Sequence, residues 1–176
     1  MDPIFESFLD KQFADGMALA RESDILRLFP LGARPVQKYR VVFRCRTLVR
    51  AGAGDPRVCL VDSGAGIHFR DGYLRLAGVA QQCLCWLGPL SMWHPNIMGP
   101  FICLGKIAVG AELVGLIHRL YSTITFNNYS LGDPLNRAAC PWVRDHPEQF
   151  PTDRRPLKRR QYRLRVEPEA REGSRS

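Results

Sequence analysis

The order of patterns along the chain predicts an α+β domain built on an antiparallel sheet. Three observations carry this reading. A helical pattern opens the chain, short strand patterns separated by turn residues fill its middle, and helical spacing returns after residue 112. Strands joined by short turns pair antiparallel, because a parallel neighbour needs a crossover of a dozen or more residues. The 176 residues suit one domain, and 45% hydrophobic residues suffice for a core.

Residues 3–29 read as helix. Asp2-Pro3 is a good start, since proline is tolerated in the first turn, and Ile4, Phe5, Phe8, Leu9 and Phe13, then Ile25, Leu26 and Phe29, recur at helical spacing. Gly16 weakens the middle and allows two shorter helices, and Pro30 and Gly32 end the pattern. Residues 38–50 alternate as a strand, with Tyr39, Val41, Phe43 and Cys45 against Arg40, Arg44 and Arg46. "AGAGDP" (51–56) is a turn, 57–61 a second strand, and "DSGAG" (62–66) another turn. Residues 67–78 read as a hairpin folded at Asp71-Gly72, and 82–87 complete a four-stranded meander. From Glu112 to Phe126, Leu113, Ile117, Leu120 and Ile124 mark a helix. Asp133-Pro134 suggests a further helix start, with a short helix ended by Pro147.

The "MDPIFESFLDK" start has no basic region ahead of an apolar run, and no run approaches the roughly 18 apolar residues of a membrane span. The expectation is a cytoplasmic protein with no membrane partner. Its six cysteines are then reduced thiols. Cys83-Leu-Cys85 is the only close pair, without a second pair or matching histidines, so no structural zinc is expected. Alternation puts Cys83 and Cys85 on one face of a strand, the buried one. The formal charge of +8 is lopsided: residues 154–165 hold seven Lys/Arg and no acid, and without them the charge falls to +1. The chain divides into a domain at 1–153 and a basic, then polar, tail at 154–176. Tyr162 is the only aromatic residue in the basic run, which argues against base stacking. Solvation or docking on an acidic partner suits the tail better than nucleic acid does.

"HPNIMGPFICLGKI" (94–107) stands apart. It sets His-Pro-Asn, a Gly-Pro turn and an apolar-flanked cysteine within fourteen residues. Cys103 admits two readings. One is a small buried hydrophobe, the commoner state of a free cysteine. The other is a nucleophile on an irregular, accessible segment. No acid or base adjoins it in sequence, and a hydrolase would want a histidine held against the thiol. His94 is nearest, but it precedes Pro95 in a turn that suits a structural role. A cysteine without a base can still exchange acyl groups with thioesters, where the leaving group is good. Asn96 carries an amide able to donate to an oxyanion.

These residues resemble the active-site segment of ubiquitin-conjugating enzymes, which carry His-Pro-Asn, a short variable stretch, then Ile-Cys-Leu. "AELVGLIHRLYSTITFNNYSLGDPLNRAA" is similar to that family's helix after the cysteine, its Asp-Pro-Leu loop and the next helix, and "ESDILRLFP…KYRVVF" is similar to the first helix running into the first strand. The specific match covers about residues 90–140. The pattern looks more like the divergent bacterial conjugating enzymes encoded beside ubiquitin-like proteins, activating enzymes and peptidases in antiphage defence operons than like the common eukaryotic members.

The resemblance implies a ubiquitin-conjugating-like fold: an N-terminal helix, a four-stranded antiparallel meander and C-terminal helices. It implies that Cys103 carries the C-terminal carboxyl of a ubiquitin-like modifier as a thioester. Asn96 would stabilise the oxyanion or hold the loop beside it. Asp133 would orient or deprotonate the incoming target lysine, or would only cap the last helices. Cys140, on a helix beside Trp142, is the rival thiol and reads as core. No cofactor is implied, since an activating enzyme spends the ATP upstream. That enzyme would dock on the first helix, where Lys11, Arg21 and Arg27 lie on the polar side and Phe5, Phe8 and Phe13 face the core. Two other classes compete: an inactive relative that only binds a ubiquitin-like protein, and a basic nucleic-acid-binding domain.

Overall fold

The computed structural model describes residues 2–159. Helix α1 runs Pro3–Arg21, with the Asp2 side chain accepting from the Ile4 N–H at 3.0 Å. Gly16 does not divide it. Phe5, Leu9, Gln12, Gly16 and Leu19 form its buried face, and the glycine allows close approach: a Cβ there would lie 2.6 Å from Leu113 Cδ2 and 2.9 Å from Leu28 Cδ2. Both leucines are buried. Gly16→Ala is therefore expected to cost about 1–2 kcal/mol by overpacking, against the gain that alanine brings in an open helix. Thermal melting checks it, and a rise in Tm would contradict this packing.

The helix ends well before residue 29. Ser23 Oγ accepts from the N–H groups of Ile25 and Leu26 at 3.2 and 3.0 Å, turning the chain into strand β1, Leu26–Leu31. Its buried residues are Leu26 and Leu28, with Arg27 and Phe29 outward. Two alternating leucines after Ile25 imitate helical spacing, and only pairing with the next strand separates the two patterns. Pro30 fits because β1 is an edge strand.

The sheet order is β1-β2-β3-β4, each strand antiparallel to the next, with β2 Lys38–Val49, β3 Arg57–His68 and β4 Leu84–Gly88. The fold class is α+β, with an N-terminal helix, a four-stranded antiparallel sheet and later helices. Two expected turns are not where the sequence put them. "DSGAG" lies inside β3, paired from Asp62↔Arg44 to Gly66↔Arg40. Gly66 serves close approach rather than a turn, since a Cβ there would lie 2.6 Å from Cys85 Sγ. Nor is 67–78 a hairpin. Gly72 does turn the chain, at φ +83°, but into the short helix α2, Ala77–Gln81. Cys83 is buried and Cys85 exposed, because β4 begins at Leu84 and strand alternation does not reach Cys83.

After β4 a two-residue hairpin forms from β5, Ile97–Met98, and β6, Phe101–Ile102. Helix α3, Leu113–Ile124, buries Leu113, Leu116, Ile117, Leu120 and Ile124 and packs on α1 and β2. The main core lies between these helices and one face of the sheet. Gln12 Oε1 accepts from the Leu113 N–H at 2.7 Å, satisfying one free donor at the start of α3. No helix starts at Asp133: after a 3₁₀ turn at Arg137–Ala139, α4 spans Cys140–Asp145 and stops ahead of Pro147. Beneath it a smaller cluster joins Leu48, Phe126 and Val143 with Trp93, Tyr129 and Phe150.

The first part of the basic run lies on the body. Leu157 is buried, Lys158 pairs with Glu22 at 2.6 Å, and Arg159 pairs with Asp24. The rest of the tail, 160–176, including Tyr162, lies outside the described residues. Arg27 belongs to β1, where it pairs with Asp62, so it is not on the helix with Lys11 and Arg21. Phe5 is buried, and Phe8 and Phe13 pack against the core. Among the described residues no helix is long and apolar enough to cross a membrane.

Candidate active site

The hairpin explains the spacing between Asn96 and Cys103. Its pairs are Met98↔Phe101 and Ile97↔Ile102. The Cys103 N–H donates to the Asn96 carbonyl at 2.8 Å, which carries the register one step further and sets the two residues opposite each other. Residues seven apart in sequence thus become neighbours. The tip is tied to the sheet, with the Trp86 N–H on the Pro100 carbonyl at 2.7 Å. The segment before it runs along the end of β2, where the Trp93 N–H donates to the Leu48 carbonyl at 2.9 Å.

His94 is a structural pin. Its ring is fully buried and packs against the Phe126 ring at a tilt of 44°, centroids 4.0 Å apart. Nδ1 accepts from the Asn96 N–H at 2.9 Å, so Nε2 carries the hydrogen and donates to the Thr123 carbonyl at 2.7 Å. Burial pulls its pKa down to about 3, against the weaker pull of the Thr123 carbonyl. It is neutral and committed on both nitrogens, so it is no base for Cys103.

This carries a stability consequence. The unfolded chain binds a proton on this histidine near pH 6.5 and the native state does not, so stability falls as pH drops from about 6.5 towards 3. His68 acts in the same direction, its pKa lowered by burial and then by Lys38 and Arg70. Between pH 6.5 and 5, where carboxylates titrate little, the unfolding free energy should fall by up to about 1.4 kcal/mol per pH unit on account of His94, with His68 adding in the same direction. His68→Gln should leave the His94 share in place. A flat profile in that variant would contradict the neutral buried ring.

Asn96 is buried and joined twice to one residue of the following loop. Its Oδ1 accepts from the Ser130 N–H at 2.9 Å, and its Nδ2 donates to the Ser130 carbonyl at 3.2 Å. The Asn136 N–H on the Pro95 carbonyl, at 2.9 Å, fastens the other end of that loop. Asn96, Cys103 and Asp133 all line one cleft of about 320 Å³, together with Tyr129 and Ser130. Cys103 is half-buried, open to the cleft rather than sealed in the core. Asp133 is exposed, is the only carboxylate among the lining residues, and caps no helix. No histidine lines the cleft. Cys140 is buried at the start of α4, away from these residues, with Sγ 3.7 Å from the Asn136 carbonyl.

Ser130, Gln81 and Arg119 could not be found from the sequence. Ser130 acts through its backbone, and Gln81 and Arg119 reach the loop after Cys103 from helices α2 and α3. Compared with protein-family models and with curated proteins, the chain matches none.

Proposed function

We propose that this chain is a conjugating enzyme for a ubiquitin-like protein, with a ubiquitin-conjugating-like fold and a place in bacterial antiphage defence. The observation that carries the reading is the meeting of Cys103, Asn96 and Asp133 at one cleft, the three positions that match the motif of that family. The helix, meander and later helices agree with that fold in order.

The cleft suits a carrier better than a hydrolase. An accessible thiol takes an acyl group from another thioester in a nearly isoenergetic exchange. With no imidazole against Cys103, water at the new thioester meets no histidine base, so the acyl group persists until an amine arrives. In the second step the amine attacks the acyl carbon and an oxyanion develops. Asn96 Nδ2 uses one hydrogen on Ser130 and keeps its second for that oxygen. Asp133, at the rim, draws the ammonium form of a lysine and takes up the proton released.

Transfer from the charged protein to free lysine tests this. The thioester should disappear faster as lysine rises, and Asp133→Ala should slow that reaction by at least about tenfold with charging unaffected. A thioester with the same lifetime with and without lysine would leave a binding relative rather than a conjugating enzyme.

A further inference from the structure

The loop after Cys103 has no regular structure, yet two distant side chains hold it. Arg119 Nη2, from α3, donates to the Leu104 carbonyl and, at 3.1 Å, to the Lys106 carbonyl. Gln81, at the end of α2, donates through Nε2 to the Gly105 carbonyl at 2.9 Å and accepts the Ile107 N–H on Oε1 at 3.0 Å. Three successive carbonyls are thereby fixed in direction.

A trans peptide points its N–H opposite to its C=O. The Leu104 carbonyl faces Arg119, so the N–H of the same peptide unit, that of Gly105, faces away from Arg119. Leu104 and Gly105 both line the cleft beside Cys103. Among the described residues the Gly105 N–H has no hydrogen-bond acceptor. Gly105 holds φ +72°, a left-handed conformation that glycine adopts without cost. Asn96, by contrast, commits Oδ1 and one Nδ2 hydrogen to Ser130 and has only the second Nδ2 hydrogen free.

We infer that the Gly105 backbone N–H is an oxyanion donor of this site, aimed by Arg119 and Gln81 as positioning residues. This rests on the reading that Cys103 accepts acyl groups. Cys103 reacts as its thiolate, its proton having passed to solvent: Sγ bonds to the acyl carbon and the carbonyl π pair moves to oxygen. The Gly105 N–H donates to that oxygen until the pair returns and the leaving thiolate departs. A preformed backbone donor of this kind needs no reorganisation as charge develops.

The test separates acyl transfer from thiol reactivity. p-Nitrophenyl acetate acetylates a thiol through an oxyanion and releases p-nitrophenolate, whereas iodoacetamide alkylates it by direct displacement with no oxyanion. Both rates are read on the Cys103 peptide by mass spectrometry, so the other cysteines do not interfere. In Arg119→Met the ratio of acetylation to alkylation should fall at least about tenfold. It should fall less in Gln81→Met and recover in part in Arg119→Lys. An unchanged ratio in a folded Arg119→Met would overturn the assignment, as would both rates falling together. Should Arg119→Met fail to fold, a semisynthetic protein joined at Cys103, with an ester for the Leu104–Gly105 amide, removes the N–H alone and must show the same fall. Neither probe involves a modifier protein. A lowered ratio in a protein that never charges would keep this inference and discard the conjugating role.

Discussion

Asn96→Ala is expected to lose both stability and transfer rate. It leaves the Ser130 N–H and carbonyl without their partner, in a loop that walls the cleft. Stranding partly buried backbone groups costs about 1–3 kcal/mol, readable by denaturant unfolding. It also removes the free hydrogen of Nδ2. The transfer of a bound acyl group to lysine should fall by about 10²–10³ in single turnover. Asn96→Asp tells the two roles apart. A carboxylate still accepts from the Ser130 N–H and donates nothing, so the loop is half kept while the donor is lost. A folded Asn96→Ala with full transfer rate would assign Asn96 to loop support alone, and the Gly105 N–H would then be the principal donor.

Asp153→Ala is expected to destabilise the fold markedly. Asp153 is 4% exposed and accepts from the Arg46 N–H at 3.0 Å, the Arg155 N–H at 3.1 Å and the Arg155 guanidinium at 2.6 Å. Arg155 in turn donates to the Arg44 carbonyl at 3.0 Å, and Thr152 Oγ1 to the Arg46 carbonyl at 2.8 Å. Burial by itself would raise the Asp153 pKa. The donors from Arg155 and Arg46 outweigh it and hold the carboxyl below the usual range. This knot fixes the C-terminal segment along β2, and with it Asn127, whose Nδ2 donates to the Asp153 carbonyl at 3.1 Å at the base of the cleft loop. Removing the carboxylate strands the part-buried N–H groups of Arg46 and Arg155, while the half-exposed Arg155 guanidinium is left to solvent, at a cost of about 2–3 kcal/mol. That is a sizeable share of the margin of a small domain. Because the folded pKa is depressed, this contribution is whole above the ordinary carboxylate pKa and is lost as pH falls through the lower folded value. An unfolding free energy within about 1 kcal/mol of the parent would contradict the knot.

Where spacing alone decides, the sequence was legible. Asp2-Pro3 and the apolar face of α1 mark the first helix, and Leu113, Ile117, Leu120 and Ile124 mark α3. The long alternation of β2 was equally plain. Elements defined by their partners were not. β1 reads as helix because Ile25, Leu26 and Phe29 fit a helical face until Leu26 pairs with Phe43 and the alternation appears. β3 was cut short because Asp, Ser and Gly at 62–66 are turn formers in isolation. Pairing with Arg40 through Arg44 overrides that preference, and the close approach of Cys85 gives Gly66 a reason.

The site divides in the same way. Cys103, Asn96 and Asp133 came from a short motif and a following loop. The hairpin and the Ser130 bonds supply the physical reason that they share a cleft. What holds them lay beyond the motif. The two hydrogen bonds of the Asn96 side-chain amide end on backbone atoms of Ser130, which no residue type announces. Arg119 on a helical surface and Gln81 at a helix end look like solvated polar residues until their carbonyl partners are placed. The pinning of His94 could be anticipated only as far as its place before Pro95.

The most direct measurement is the mass of the protein after incubation with an activating enzyme, its ubiquitin-like modifier and ATP, taken without reductant. The account predicts an adduct of one modifier less one water. It should be released by thiol reductant, located on the Cys103 peptide, absent in Cys103→Ala and retained in Cys140→Ala. No adduct, with the activating enzyme itself shown to be charged, would contradict the account. So would an adduct that survives Cys103→Ala.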